Sequence, residues 1–365
     1  MPAVKIVIVH YSMKIYGGLE FHIDTLKALL ERNGHEVRLF MYADEEEPLS
    51  ALKKLTDDFK PDVCHFHSLE GPATSLADYL HEQKTKLVFT AHGDGLFRCN
   101  RGFMKFKDCK KCLSTSYYLA GLHGCKDIIG SLKLWYRQAK GTLYPKSALK
   151  FQKFIFVSHF VEDMFRSIKF FSQIDGTTIY NSLNLPEYEA IRRQHLPKGD
   201  YALYFGRVAP EKGLKTLIKA IEGTGIELVI AGKGPLEDEL KTMNAPTVRF
   251  TGFLQKEELR KLCAQARLTI LPSECDEALG YSIIESFALG TPCLGSDRGG
   301  IPELMAKGRG LTFRSFNSAD LREKLISIYD DDDKLSAMAS RGLDFVNANC
   351  SEDTYYKRIM DVYNS

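Results

Sequence analysis

The sequence predicts an α/β protein made of two doubly wound parallel-sheet domains that face each other across a cleft. Three observations carry that expectation. The chain has 365 residues, more than one ordinary core of roughly 100–200 residues. Near-continuous, β-branched apolar runs alternate with amphipathic stretches in both halves, the pattern of parallel strands covered on both faces. A charged segment bracketed by Pro186 and Pro197, "LPEYEAIRRQHLPK", separates the two series.

In the first series, "VKIVIVHYS" reads as a strand and "GGLEFHIDTLKALLERNG" as an amphipathic helix that stops at Gly34. "HEVRLFMY", "DVCHFHS" and "KLVFTAHG" are further strands, with helices at Leu49–Phe59 and Ala73–Gln83 between them. "KFIFVSHF" and "TTIYNSLN" complete this half. The second series runs "YALYFGR", the helix "GLKTLIKAIEG", "IELVIAG", "VRFTGF", the helix "KEELRKLCAQA", "LTILPS", a helix around Tyr281–Leu289, and "PCLGS". The expected organisation is an N-terminal domain over 1–185 with an insert at 98–153, a linker at 186–198, a C-terminal domain over 199–345, and a closing helix at 346–365 that crosses back to the N-terminal domain. The run "DDDDK" at Asp330–Lys334 reads as a solvated turn before the helix "KLSAMASRGLDFV".

Composition narrows the function. Hydrophobic residues make up 44% and charged residues 26% of the chain, which excludes extended disorder. The net charge of +2 carries no global nucleic-acid signature. No apolar run approaches the ~18–20 residues of a membrane span, and "MPAVKIVIVHYS" lacks the pattern of a signal peptide, so the expected location is cytoplasmic. Nine cysteines in such a chain are read as reduced thiols.

The chemistry concentrates in "SECDEALGYSIIESFALGTPCLGSDRGGIPEL". Glu277 falls in a loop at a strand end and Glu285 just inside the following helix. Between them, Ala278, Leu279, Gly280 and Tyr281 form a helix N-terminus, whose unsatisfied N–H groups and dipole favour an anion, phosphate above all. A carboxylate repels phosphate but accepts hydrogen bonds from hydroxyls. A ligand with hydroxyls at both ends and phosphates between them is a sugar nucleotide. In "YFGRVAPEKG", Arg207 and Lys212 stand between a strand and a helix, placed to neutralise a diphosphate. Neither half shows G-x-G-x-x-G with an acid about twenty residues later, so a dinucleotide is not expected.

"GRVAPEKG", "IAGKGP", "VRFTGFL" and the Glu-x7-Glu stretch, with "YGGLE", "DVCHFHS", "FVSHFVEDMF" and "IYNSLN", resemble the family 4 retaining glycosyltransferases, which have two Rossmann-like domains (the GT-B fold). The resemblance covers nearly the whole chain. Asn181-Ser182 departs from the usual Asn-Gly. By this resemblance, Arg207 and Lys212 grip the diphosphate, Glu285 binds the ribose hydroxyls and Glu277 holds the donor sugar. The turn Gly252–Leu254 lines the base pocket, and Gly17 and Gly18 let the first loop approach the phosphate. His92, in "FTAHGD", contacts the donor sugar. The implied reaction is metal-independent transfer with retention from a nucleotide-sugar to a glycan or lipid-linked acceptor, in surface-polysaccharide biosynthesis. A silent sugar-nucleotide-binding subunit and a sugar-nucleotide epimerase are the alternatives.

Two features lie outside that scheme. His65 and His67 share a strand face at a spacing that can ligate a metal, but the sequence shows no third ligand, and cleft lining or packing is the main reading. Cys99, Cys109, Cys112 and Cys125 could close a structural zinc site or simply be buried thiols. They lie in a segment, Arg98 to Lys153, with thirteen lysines or arginines against two acids. That basic, aromatic-bearing stretch suits the inner face of an anionic membrane or a diphosphate-lipid acceptor. The alternative is a solvated basic face with Trp135 packed inward.

Overall fold

The structure, a computed structural model, describes residues 2–14, 17–93, 145–243 and 246–365, together with Ile129, Leu132, Lys133, Trp135 and Tyr136. The chain divides into two compact units, Met1–Asn181 with Tyr355–Ser365, and Ser182–Thr354.

Unit 1 contains β1 (Lys5–His10), α1 (Gly18–Arg32), β2 (Glu36–Met41), α2 (Pro48–Phe59), β3 (Val63–Phe66), α3 (Ala73–Glu82), β4 (Lys86–Ala91), β5 (Lys153–Phe156), α4 (His159–Arg166) and β6 (Gly176–Thr178). Its six strands are parallel in the order β2-β1-β3-β4-β5-β6. Strand order reverses between β1 and β3. In open α/β sheets ligands bind beyond the carboxyl ends of the strands at such a point.

Unit 2 contains α5 (Leu185–Arg192), β7 (Tyr201–Phe205), a 3-10 turn at Pro210–Lys212, α6 (Leu214–Ile221), β8 (Glu227–Ala231), α7 (Glu237–Lys241), β9 (Val248–Gly252), α8 (Lys256–Gln265), β10 (Leu268–Leu271) and α9 (Tyr281–Ala288). It continues with β11 (Cys293–Ser296), α10 (Ile301–Met305), β12 (Gly310–Phe313), α11 (Ser318–Tyr329) and α12 (Asp332–Asn349). The parallel order is β12-β11-β10-β7-β8-β9, so here the reversal falls between β7 and β10.

Three segments differ in detail from the sequence reading. The segment 186–198 begins as helix α5, with Pro186 in the first turn and Tyr188 and Ile191 buried. Proline is at home there because first-turn N–H groups need no intrahelical acceptor. The acidic run opens α12 instead of forming a bare turn: the Asp331 side chain accepts from the Lys334 N–H at 2.9 Å, with Asp332 and Asp333 in the first turn. Carboxylates at that end complement the helix dipole. Finally, a separate helix, α13 (Glu352–Asn364), follows a break after Asn349. Its Tyr355, Ile359, Met360, Val362 and Tyr363 join the core of unit 1 with Ile6, Ile8, Ile23 and Leu26. At roughly 1.5–3 kcal/mol for each fully buried large apolar side chain, α13 is part of what holds that core together.

Candidate functional site

The carboxyl ends of β7 and β10 flank the reversal in unit 2, and the loops that leave them carry the predicted residues. Lys212 sits in the 3-10 turn after β7, and Glu277 in the loop after β10. They meet as a mostly buried ion pair, with Lys212 Nζ 2.6 Å from Glu277 Oε1. Burial alone would lower the Lys212 pKa, but Glu277 more than offsets it, and the ammonium is held above its usual value. Ser273 Oγ donates to the same carboxylate oxygen at 2.5 Å, and Ser273 is itself fully buried. Arg207 is exposed and pairs with Glu211. Both predicted cations therefore already hold a carboxylate, so a diphosphate would have to compete for them.

The Gly-Gly pair of "SDRGGIPEL" acquires a role here. Gly299 has φ +60°, and a Cβ on it would lie 2.2 Å from the Glu277 carbonyl oxygen and 2.5 Å from its nitrogen. The Gly300 N–H donates to that carbonyl at 2.7 Å. Asp276 Oδ1 accepts from the Gly299 N–H at 3.1 Å and faces the buried Arg298 guanidinium at 3.1 Å. The loop that holds Glu277 is thus clamped backbone to backbone. Gly299→Ala is expected to push the Glu277 loop out of place, costing at least about 1–3 kcal/mol of strain. The checks are a lowered unfolding midpoint together with a loss of donor affinity; an alanine variant that matches the parent in both contradicts the clamp.

Gly280 caps α9 at φ +92°, a left-handed conformation that suits glycine. Leu279 is buried against the core, while Ala278 and Tyr281 complete the turn into the helix. The first amides of α9 therefore open at the β7/β10 reversal, between Glu277 before the helix and Glu285 within it.

Glu285 is partly buried. Burial raises its pKa, opposed by the Tyr188 hydroxyl and by Arg260. Tyr188 Oη donates to Glu285 Oε1 at 2.9 Å, the Arg260 guanidinium lies 4.4 Å from the centre of the Tyr188 ring, and Arg260 pairs with Glu187 at 2.7 Å. Segment 186–198 therefore supplies a brace for Glu285. Tyr188→Phe removes a bond that favours the carboxylate, so the Glu285 pKa should rise further. Because hydroxyl recognition needs the ionised form, the acid limb of donor binding should move to higher pH, with weaker binding near pH 6 and a smaller change near pH 8. Calorimetry at several pH values tests this, and an unshifted limb contradicts the brace.

The remaining donor candidates are placed as follows. Leu254 follows β9 and is half-buried beside the exposed Phe253, and the Gly252 carbonyl accepts from the Gly232 N–H at 2.8 Å. In unit 1, Gly17 caps α1 and Gly18 is its first residue; the Gly17 N–H donates to Glu20 Oε2 at 2.8 Å. Glu20 also stands 3.5 Å from His10, which ends β1. His92 follows β4 and its Nε2 lies 2.8 Å from His67 Nδ1. His65 is satisfied on both ring nitrogens, by Tyr363 Oη at 2.8 Å and Thr90 Oγ1 at 2.6 Å, which is the packing role expected of it. His67 instead joins His92 and His22, two partners that the sequence did not offer.

Cys99, Cys109, Cys112 and Cys125 lie outside the described residues. Trp135 is 46% exposed, and Ile129, Leu132 and Tyr136 are exposed as well, so the tryptophan is not packed inward. Among the described residues no helix is long and apolar enough to cross a membrane.

Ser273, Asp276, Arg298, Tyr188 and Arg260 were missed by sequence reasoning. The glycine pair was visible as a motif, yet the side chains that clamp it become recognisable only when β11 and the Glu277 loop are adjacent in space.

Comparison with known proteins agrees with this architecture. The pattern described as "Glycosyltransferase Family 4" matches residues 47–186, and that described as "Glycosyl transferases group 1" matches residues 187–344. An uncharacterised glycosyltransferase of Methanocaldococcus jannaschii is 26% identical over 81% of this chain and 80% of its own. The GDP-mannose-dependent monoacylated alpha-(1-6)-phosphatidylinositol monomannoside mannosyltransferase of Corynebacterium glutamicum is 28% identical over 44% of this chain and 45% of its own. Among solved structures, Anabaena HepE in complex with UDP and glucose superposes with a TM-score of 0.67 at 18% identity, over 99% of this chain and 100% of that one. Two six-stranded parallel sheets, the GT-B architecture, and two family patterns that together span residues 47–344 place the chain in the family 4 (group 1) glycosyltransferases, which transfer a sugar from a nucleotide-sugar.

Proposed function

We propose that the protein transfers a hexose or N-acetylhexosamine with retention of anomeric configuration, to a glycan or lipid-linked acceptor in surface-polysaccharide biosynthesis. The observation that carries the donor side is the Lys212–Glu277 pair at 2.6 Å beside the N-terminus of α9. When the bond from the anomeric carbon to the diphosphate oxygen breaks, negative charge grows on that oxygen. Lys212 and Arg207, exchanging their carboxylate partners for the diphosphate, and the α9 amides are positive groups that stabilise that growing charge. They supply the charge that a metal ion supplies in other transferases, and departure is therefore metal-independent.

Glu285, braced by Tyr188, accepts from the ribose hydroxyls, and Glu277 orients the donor sugar. The backbone at Gly252–Leu254 faces the base. Gly17, Gly18 and His92 are assigned donor contacts on the family resemblance alone. The acceptor hydroxyl attacks from the face the diphosphate leaves, and its proton passes to a phosphate oxygen of the departing group. The basic segment 98–153 is assigned peripheral contact with an anionic membrane, and the proposed location is the cytoplasm, at the inner face of that membrane. A lipid-linked acceptor is in keeping with the phosphatidylinositol mannoside acceptor in the Corynebacterium relative's name.

Proton NMR of the first product formed tests retention. A product with the donor's own anomeric configuration, made at an undiminished rate in a chelator, supports the reading. An inverted product removes the front-face mechanism, and a rate that collapses in chelator and returns with Mg2+ removes metal-independent departure.

A further inference from the structure

The carboxyl ends of β1, β3 and β4 in unit 1 gather an unusual set of imidazoles. His22 on α1, His67 after β3 and His92 after β4 each offer a ring nitrogen within 4.8 Å of the other two. His22 and His67 are 2% and 4% exposed.

His65, two residues before His67, shows what a histidine kept for packing looks like here: both its nitrogens have hydroxyl partners. His67 does not match it. Its Nδ1 meets His92, but its Nε2 is buried with no hydrogen-bond partner among the described residues. Leaving such an atom unsatisfied is destabilising, and a packing role does not explain it. His22 has the outer contact that orients a ligating imidazole, Tyr355 Oη 3.2 Å from its Nε2.

We propose that His22, His67 and His92 form a binding site for a divalent transition-metal ion of the zinc or cobalt type. Three neutral imidazoles suit such ions and leave a fourth tetrahedral position for an oxygen ligand. Nitrogen ligands about 2.0–2.1 Å from a tetrahedral metal stand about 3.3 Å apart. The three ring nitrogens, within 4.8 Å of one another, must draw together to about that spacing when the ion enters. All three ligands belong to unit 1, while the diphosphate groups proposed above belong to unit 2.

The test is titration of chelator-treated protein with Co2+, followed by visible absorption without any sugar nucleotide present. The expected result is one Co2+ per chain, with ligand-field bands of a nitrogen-rich site, no thiolate charge-transfer band, and displacement by Zn2+. Tyr355→Phe should weaken the affinity about 10–100-fold, and His22→Gln at least tenfold. Replacing Cys99, Cys109, Cys112 and Cys125 together by serine should leave these bands unchanged. The site is overturned if no saturable band appears, or if the band carries thiolate charge transfer and disappears with the serine variant. It is equally overturned if His22→Gln, folded by circular dichroism, binds as the parent does. Should His22→Gln not fold, the spectrum of the parent protein decides alone.

Discussion

Lys212→Ala is expected to lower kcat by about 10²–10³, with a smaller change in KM. A fixed donor aimed at charge that develops during reaction is typically worth that much, about 2.7–4 kcal/mol. The loss should exceed that from Arg207→Ala, because Lys212 is mostly buried whereas Arg207 is exposed, and solvent screens the exposed charge. Alanine at 212 also strips Glu277 of its cation and leaves the carboxylate with Ser273. Lys212→Arg keeps the charge on a different geometry and should recover part of the rate. Steady-state kinetics on the three variants checks this ordering. Equal losses at 207 and 212 would mean that burial does not set the size of the effect.

Glu285→Ala should act on binding. Each hydrogen bond to a charged group contributes about 1.5–3 kcal/mol, so losing a carboxylate that accepts from ribose hydroxyls should weaken donor affinity about 10–150-fold. The loss should appear in KM with kcat at saturating donor less affected, since the ribose keeps its contacts through the reaction. The control is a donor analogue lacking the ribose hydroxyls. It should bind the parent weakly and lose little more in the variant. If the analogue and the natural donor lose equally, Glu285 addresses some other part of the ligand.

Much of the architecture was legible in local pattern. Runs such as "KIVIVH" and "LTIL" are apolar on both faces and became central strands, and Gly34 ended α1 as its φ of +85° requires. The segment 186–198 was harder, because a proline at a helix start looks like a linker proline until the burial of Tyr188 is known. The donor loops were visible because glycines, charges and spacing fall within single short stretches. What braces them was not. Asp276–Arg298, Tyr188–Glu285 and His22–His67–His92 join residues far apart in sequence, through topology that no local pattern encodes. The histidines illustrate the limit: spacing showed that His65 and His67 share a face, while the hydroxyls of Tyr363 and Thr90 decide that the first is satisfied and the second is not.

The central claim is that the loops after β7 and β10, with α9, bind the nucleotide-sugar. Calorimetry with UDP-, GDP-, ADP- and dTDP-sugars, on the parent and on Lys212→Ala and Glu285→Ala, tests it most directly. The account predicts that one nucleotide class binds in the micromolar range and that each substitution weakens it by more than about 1.4 kcal/mol, tenfold in affinity. Binding that is indifferent to both substitutions would contradict it and move the donor away from these loops.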